Sequence, residues 1–110
     1  MAYYLVRAHP KPDLLDELAE KLRQGAFTSL RPFGESLSQG LNGARWEAPG
    51  MAIWEEEDYC VPPLAQERAA VLDTYFKSLS VEKVQQGKGW SQIESLALLW
   101  NKSNGGTNAV

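Results

Sequence analysis

Two side chains that could act in catalysis occur once each in the chain, and these are His9 and Cys60. A histidine at the end of a first strand could serve as a base or a ligand, although it could equally be a loop residue before Pro10. A cysteine becomes a nucleophile when a nearby base lowers its pKa, but a lone cysteine is also typical of a small buried apolar residue. Both residues are therefore candidates for catalysis.

Four acidic residues follow one another at Glu55-Glu56-Glu57-Asp58. On a strand, Glu55 and Glu57 share one face, and Glu56 and Asp58 share the other. A converging pair would raise a carboxyl pKa and could serve acid–base catalysis or bind a hard cation. Carboxylates at a strand end are also commonly solvated, and no further ligands stand at metal-binding spacing. We therefore keep Glu55 as a catalytic candidate and predict no metal and no cofactor.

Three arginines, Arg7, Arg31 and Arg45, fall on predicted strands. Their planar guanidinium groups suit a clamp for an anionic or carboxylate ligand inside a mostly apolar cleft. Strand arginines also commonly face solvent or pair with strand carboxylates. Trp54 and Tyr59 could line such a cleft, although tryptophan is also frequent in cores and interfaces. These five residues are the predicted ligand-binding set.

The first quarter of the chain predicts a strand followed by a helix. Residues 2–8 are rich in β-branched and aromatic residues, and His9-Pro10 ends the strand. Leucines at helical spacing then predict a helix over 13–25, with Asp13 as its N-cap and Gly25 as its stop.

The middle of the chain predicts a hairpin. Its strands are expected over 28–36, where Pro32 favours an edge position, and over 44–57, with a break near Pro49-Gly50. A loop rich in glycine and asparagine over 38–43 would join them.

The last part of the chain predicts two helices around a short strand. A helix follows Pro62-Pro63, a weak strand covers 80–85, and a third helix covers 91–100 with a capping box that begins at Ser91. Residues 1–100 then form one domain, and 101–110 form a flexible tail without apolar periodicity.

This order predicts an α+β fold of the ferredoxin-like kind, a βαββαβ antiparallel sheet with two helices on one face and a short C-terminal helix. Strands 2–8 and 51–54 are apolar on both sides, whereas a sheet with one wet face would alternate. A second cover is therefore expected, either from helix 91–100 or from a second copy of the chain.

Element order, size and the two-sided apolar sheet resemble the dimeric α/β-barrel superfamily, which includes YciI-like, muconolactone-isomerase-like and antibiotic-monooxygenase-like proteins. The resemblance spans residues 2–86 and is one of fold, and it implies a homodimer. YciI-like proteins usually carry a functional histidine on the first helix, and residues 13–25 contain none. No catalytic residue is carried over from the superfamily, since fold does not imply function.

Composition narrows the function classes. The 110 residues carry 11 Lys+Arg and 14 Asp+Glu, a net charge of −3 with no basic stripe, which argues against nucleic-acid binding. A single cysteine and the absence of a long apolar run predict a cytoplasmic protein that does not enter membranes.

From these features we expect a homodimer that binds a small, partly apolar or anionic molecule at its sheet face. An isomerase- or monooxygenase-like activity is compatible with this expectation, but no reaction can be named. The alternative is a non-catalytic interaction module that docks a partner protein through the apolar sheet face or the acidic segment 55–58.

Overall fold

The structure is a computed structural model that describes residues 2–101. Its strands are β1 (Ala2–Pro10), β2 (Arg45–Glu47), β3 (Met51–Asp58) and β4 (Phe76–Val84). Its helices are α1 (Leu15–Arg23, preceded by a 3-10 turn, Pro12–Leu14), α2 (Gly34–Asn42), α3 (65–75, with a π-helical middle, Arg68–Leu72) and α4 (Lys88–Ile93). A last 3-10 turn covers Leu99–Asn101. No helix in this part of the chain has the length and apolar character to cross a membrane.

The four strands form one antiparallel sheet in the order β2-β3-β1-β4. The predicted α+β class with an antiparallel four-stranded sheet is therefore confirmed. Strand β1 extends through Pro10, and β4 begins at Phe76, before the predicted 80–85. The predicted break near Pro49-Gly50 is confirmed and is the turn of a hairpin formed by β2 and β3, whereas the hairpin predicted between 28–36 and 44–57 was wrong.

The sheet has two covered faces of unequal size. Helices α1, α2 and α3 pack on the larger face, where Val6, Ala8, Ala52 and Trp54 point from the central strands. The smaller cluster lies on the opposite face, where Ile93 of α4 covers Leu5 and Ile53. The prediction of two helices on one face was wrong, because α2 adds a third.

Helix α2 replaces the strand predicted over 28–36 and the loop predicted over 38–43, and both of those predictions were wrong. Its glycines are sites of close packing rather than turns. A Cβ on Gly34 would lie 2.2 Å from the Phe27 carbonyl oxygen, and one on Gly40 would lie 2.7 Å from Cδ1 of Trp54. Tertiary packing along β3 thus overrides the weak helix propensity of this segment.

The two predicted helix caps were also wrong. The turn before α1 begins at Pro12, and Asp13 lies inside it, although Gly25 does follow the helix with a positive φ of 69°. Ser91 lies inside α4, which begins at Lys88 and ends at Ile93, so the predicted helix over 91–100 is shorter and starts earlier. Of the predicted tail over 101–110, all but Asn101 lies outside the described residues.

Candidate functional site

Two cavities adjoin at the C-terminal end of β3. One has a volume of about 280 Å³ and lies between α2 and the start of α4, and the other has about 270 Å³ and lies between α2 and the loop after β3. Ser36 and Glu57 line both. Each cavity lies just below the range of roughly 300–1,000 Å³ typical of ligand pockets, and the pair reaches it.

The exposed edge of β3 is what opens this region. Strand β2 pairs only with residues 51–53, so the second half of β3 has no strand neighbour on that side. Helix α2 lies there instead, with Gly40 against Trp54. Because side chains alternate along a strand, Glu55 and Glu57 point to the α4 side, and Glu56 and Asp58 point to the α3 side.

Glu55 on the α4 side is saturated by backbone donors. The N–H groups of Gly89 and Trp90 donate to Oε1 at 2.8 and 3.1 Å, and the N–H of Gly87 donates to Oε2 at 2.8 Å. These are free donors of the first turn of α4, so Glu55 caps that helix from a distant strand. This capping explains why α4 begins before Ser91.

Glu56 on the α3 side lies in a different environment. It is 2% exposed, and Nε1 of Trp54 donates to its Oε1 at 2.9 Å. Its neighbour Glu67 on α3 is fully buried. Among residues 2–101, Oε2 of Glu56 and Oε2 of Glu67 both lack a hydrogen-bond partner. Buried carboxylate oxygens without donors are costly, so this pair needs a proton or another cation.

Asp58 orders the loop that closes this side. Its Oδ2 accepts hydrogen bonds from the N–H of Leu64 at 2.6 Å and from the N–H of Cys60 at 3.0 Å. Leu64 is buried and has a positive φ of 64°, a conformation that costs energy for a branched side chain. The Asp58 carboxylate therefore holds the loop and the start of α3 in place.

The three carboxyl groups of this cluster, Glu56, Glu67 and Asp58, differ in the direction of their pKa shifts. Burial raises the pKa of Glu56 well above its usual value. Burial and the hydrogen bond with Asp58 raise the pKa of Glu67 to about 7. Burial alone would raise the pKa of Asp58, but hydrogen bonds from Glu67 and the backbone lower it overall. Asp58 is thus the ionised member at neutral pH.

Cys60 stands beside these carboxyl groups. Its Sγ lies 3.9 Å from Oε1 of Glu67. A backbone hydrogen bond from Gln66 would lower the pKa of the thiol, but burial and the charges of Asp58 and Glu67 raise it overall. Asp58, Cys60 and Glu67 each offer one ligand atom, and these three atoms lie within 4.8 Å of one another. This set is the one that could hold a metal ion among residues 2–101.

The predicted catalytic candidates do not come together. Cys60 lies just beyond Asp58, which pairs with Ala2 at the start of β1, whereas His9 lies near the end of that strand. Seven residues at about 3.3 Å each separate Ala2 from His9 by about 23 Å. His9 therefore cannot act as the base for Cys60, and Glu55 is occupied by backbone donors.

The three arginines are also dispersed. Nε of Arg7 donates to Oε1 of Glu47 at 2.9 Å, and its Nη1 lies 3.4 Å from Oε1 of Glu82. Nη1 of Arg45 donates to the carbonyl oxygens of residues 94 and 96 at 2.8 and 2.7 Å. Arg31 lies in the turn before α2, so its predicted strand position was wrong. None of the three lines either of the two cavities.

The two predicted aromatic residues have different surroundings. Trp54 is fully buried in the core and lines neither cavity. Tyr59 is 63% exposed, lines the smaller cavity and donates a hydrogen bond from its hydroxyl to Oε2 of Glu57 at 3.0 Å. Of the ligand-binding set, Tyr59 is therefore the residue that the structure brings to the cavities.

Glu67 is the residue that the sequence reasoning missed. Its signal is present in the chain, because Leu64, Glu67 and Val71 stand at i, i+3 and i+7 of the predicted second helix. A carboxylate on the apolar stripe of a helix is buried, and buried carboxylates need partners. Ser36 and Gln66 also line the cavities and have no comparable signal.

No family model, no curated protein and no solved structure matches the chain.

Proposed function

We propose that the chain binds a small molecule with an aromatic or aliphatic part and an amine or other hydrogen-bond donor group. The site is the pair of cavities at the end of β3. The observation that carries this proposal is the chemistry of the lining, which contains carboxylates, hydroxyls, amides and aromatic rings, but no Lys, Arg or His among the described residues.

Glu57 is the central side chain of the proposed site. It is half-buried, lines both cavities and sits opposite Tyr3 in the sheet register. A half-buried carboxylate strengthens a hydrogen bond from an ammonium group. Phe33 lines one cavity and Trp90 the other, so an apolar or cationic group would find an aromatic surface in each.

An anionic ligand, the choice that the arginines suggested from the sequence, has less support. Arg7 already pairs with Glu47 and Glu82, and Arg45 already donates to two carbonyl oxygens. An anion in either cavity would meet carboxylates, and among the described residues no cationic side chain lines either cavity. A comparison of a cationic with an anionic ligand of similar shape therefore tests the proposal most directly.

The test is a matched series of benzylamine, benzyl alcohol and benzoate, titrated against the ¹⁵N-labelled protein. We expect benzylamine to shift the amide signals of Gly87 and Trp90 or of Tyr59 and Cys60 in a saturable way, and benzoate to leave them unchanged. Glu57→Gln should weaken benzylamine binding, while Glu20→Gln on the outer surface of α1 should not. Tighter binding of benzoate than of benzylamine would contradict the proposal.

The finer description of the fold belongs to the same proposal. The strand order β2-β3-β1-β4 with antiparallel neighbours supports a ferredoxin-like arrangement, in which the first and third strands are central, and α2 is then an insertion. A homodimer, a cytoplasmic location and an isomerase- or monooxygenase-like activity remain predictions. Light scattering tests the first, because a dimer has twice the monomer mass of 12.2 kDa.

The alternative of a protein-interaction module has weaker support. Glu55, Glu56 and Asp58 are each at most 4% exposed, so the acidic segment offers mainly Glu57 to a partner. The apolar part of the second face at Leu5 is covered by α4. Among residues 2–101, the burial of three of the four acidic side chains and the cover over Leu5 both favour the ligand-binding proposal over this alternative.

A further inference from the structure

We propose that Asp58, Cys60 and Glu67 form a binding site for a divalent transition-metal ion of the zinc class, with one thiolate and two carboxylate ligands. The three ligand atoms come from the end of β3, the loop after it and α3, and they lie within 4.8 Å of one another. This inference does not depend on the amine ligand proposed above, because it concerns different donor groups and a different probe.

The unpartnered oxygens are the independent observation that points to a ligand. Glu67 is fully buried, and its Oε2 has no hydrogen-bond partner in the described part of the chain. Oε2 of the adjacent Glu56, 2% exposed, is also without one. A buried acceptor without a donor needs a proton or a metal ion, whereas Asp58 is satisfied by its two backbone donors.

The spacing suits a small tetrahedral site. Metal–ligand bonds of 2.0–2.3 Å place the ligand atoms of a tetrahedral zinc ion about 3.5 Å apart. The distance from Sγ of Cys60 to Oε1 of Glu67 is 3.9 Å, so a shift of a few tenths of an ångström completes this edge. The hydrogen bonds that the N–H groups of Cys60 and Leu64 donate to Oδ2 of Asp58 fix this carboxylate in place beside the thiol.

The donor set selects the class of metal. Magnesium and calcium prefer six or more oxygen ligands, whereas a thiolate with two carboxylates suits zinc, cobalt(II) or iron(II). Asp58 and Cys60 also line the cavity of about 270 Å³, so an ion held there would face a solvent-accessible space at its fourth position. Three protein ligands with one open position are typical of a catalytic rather than a structural zinc site.

Cobalt(II) chloride is the probe, added to the full-length protein after reduction, chelation and dialysis. We expect saturable 1:1 binding and a thiolate-to-cobalt charge-transfer band in the near ultraviolet. Cys60→Ser should abolish the band, and Glu67→Gln should weaken binding about tenfold or more. Glu35→Gln, which changes an exposed carboxylate on α2, should bind within about twofold of the original chain.

Three results would overturn the assignment: no saturable binding, a band that survives in Cys60→Ser, or unchanged affinity in Glu67→Gln. Circular dichroism first establishes that each variant folds. If Glu67→Gln does not fold, Cys60→Ser decides the question alone, because the band reports the sulfur ligand directly. Failure of the benzylamine titration would leave these results unaffected.

Discussion

Glu55 and Glu56 are neighbours on one strand, yet they illustrate two different uses of a buried carboxylate. Three backbone N–H groups of α4 saturate Glu55, while one oxygen of Glu56 and one of Glu67 have no partner. On the α4 side of β3, the Glu55 carboxylate therefore stabilises a helix. On the α3 side, Glu56 and Glu67 each keep one oxygen that could accept a further hydrogen bond or bind a metal ion. Burial with all partners satisfied is explained by stability alone, whereas a buried group without partners calls for a further explanation.

Glu55→Gln should produce the largest loss of stability. The glutamine amide has only one oxygen that can accept hydrogen bonds, and its NH₂ group would face backbone donors. It also lacks the negative charge that interacts favourably with the helix N-terminus. We expect the free energy of unfolding in urea to fall by about 2–4 kcal/mol. The surface variant Glu94→Gln is the control, with a change below about 0.5 kcal/mol. Equal changes in the free energy of unfolding for Glu55→Gln and Glu94→Gln would contradict the structural role of Glu55.

Glu67→Gln should have a smaller, pH-dependent effect in metal-free protein. The pKa of Glu67 is raised to about 7 in the folded state, against about 4.3 in the unfolded chain. The folded state then binds more protons, so its stability is full below about pH 4.3 and is lost as pH rises through about 7. Glutamine cannot lose a proton, so this variant should lack that part of the decline.

Urea denaturation at about pH 5 and about pH 8 with EDTA measures this difference. We expect Glu67→Gln to gain about 1–2 kcal/mol relative to the original chain between these two conditions. Parallel pH profiles for the two proteins would show that Glu67 ionises with an ordinary pKa. Glu67 is hydrogen-bonded to Asp58 and interacts with Glu56, so the difference between the two profiles reports the titration of this group of three carboxyls.

Arg45→Lys tests the other end of α4, with an effect near 1 kcal/mol. Nη1 of Arg45 donates to two carbonyl oxygens beyond the helix, and a lysine ammonium cannot reproduce the planar geometry. Thermal unfolding should show the loss, while benzylamine and cobalt binding should stay unchanged. Weaker binding of benzylamine or cobalt by this variant would support the role in ligand binding that the sequence predicted for Arg45.

Tyr59→Phe should have the smallest effect on stability, below about 0.5 kcal/mol, because its hydroxyl is exposed where it donates to Glu57. The same substitution frees one carboxylate oxygen in the smaller cavity. Titration should therefore show benzylamine binding that is equal or tighter than in the original chain. A marked loss of affinity would mean that the hydroxyl itself contacts the amine.

The sequence predicted those parts of the fold that depend on local pattern. The strand over 2–8, the break near Pro49-Gly50 within 44–57 and the helix after Pro62-Pro63 follow from residue type and periodicity. Helix α2 does not, because Gly34 and Gly40 are poor helix formers whose positions are decided by contacts with Phe27 and Trp54. The caps failed for a similar reason, since the carboxylate that caps α4 lies on a distant strand.

The candidate site was only partly predictable. The acidic segment 55–58 and Cys60 were recognised, but the roles within the segment depend on which face each residue occupies and on what packs there. Glu67 completes the cluster from a helix that the sequence places correctly without indicating its partner. The three arginines do not form the predicted clamp. Arg7 pairs with a carboxylate and Arg45 donates to two backbone carbonyl oxygens, so neither guanidinium group reaches the cavities.

The most direct test of the difference between the two sides is calorimetric titration of zinc chloride into the original chain, Glu55→Gln and Glu67→Gln. Each variant is first shown to be folded at the temperature used. The account predicts that Glu55→Gln, although less stable, binds zinc within about twofold of the original chain, and that Glu67→Gln binds about tenfold or more weakly. Equal zinc affinity in all three proteins, or a loss confined to Glu55→Gln, would contradict it.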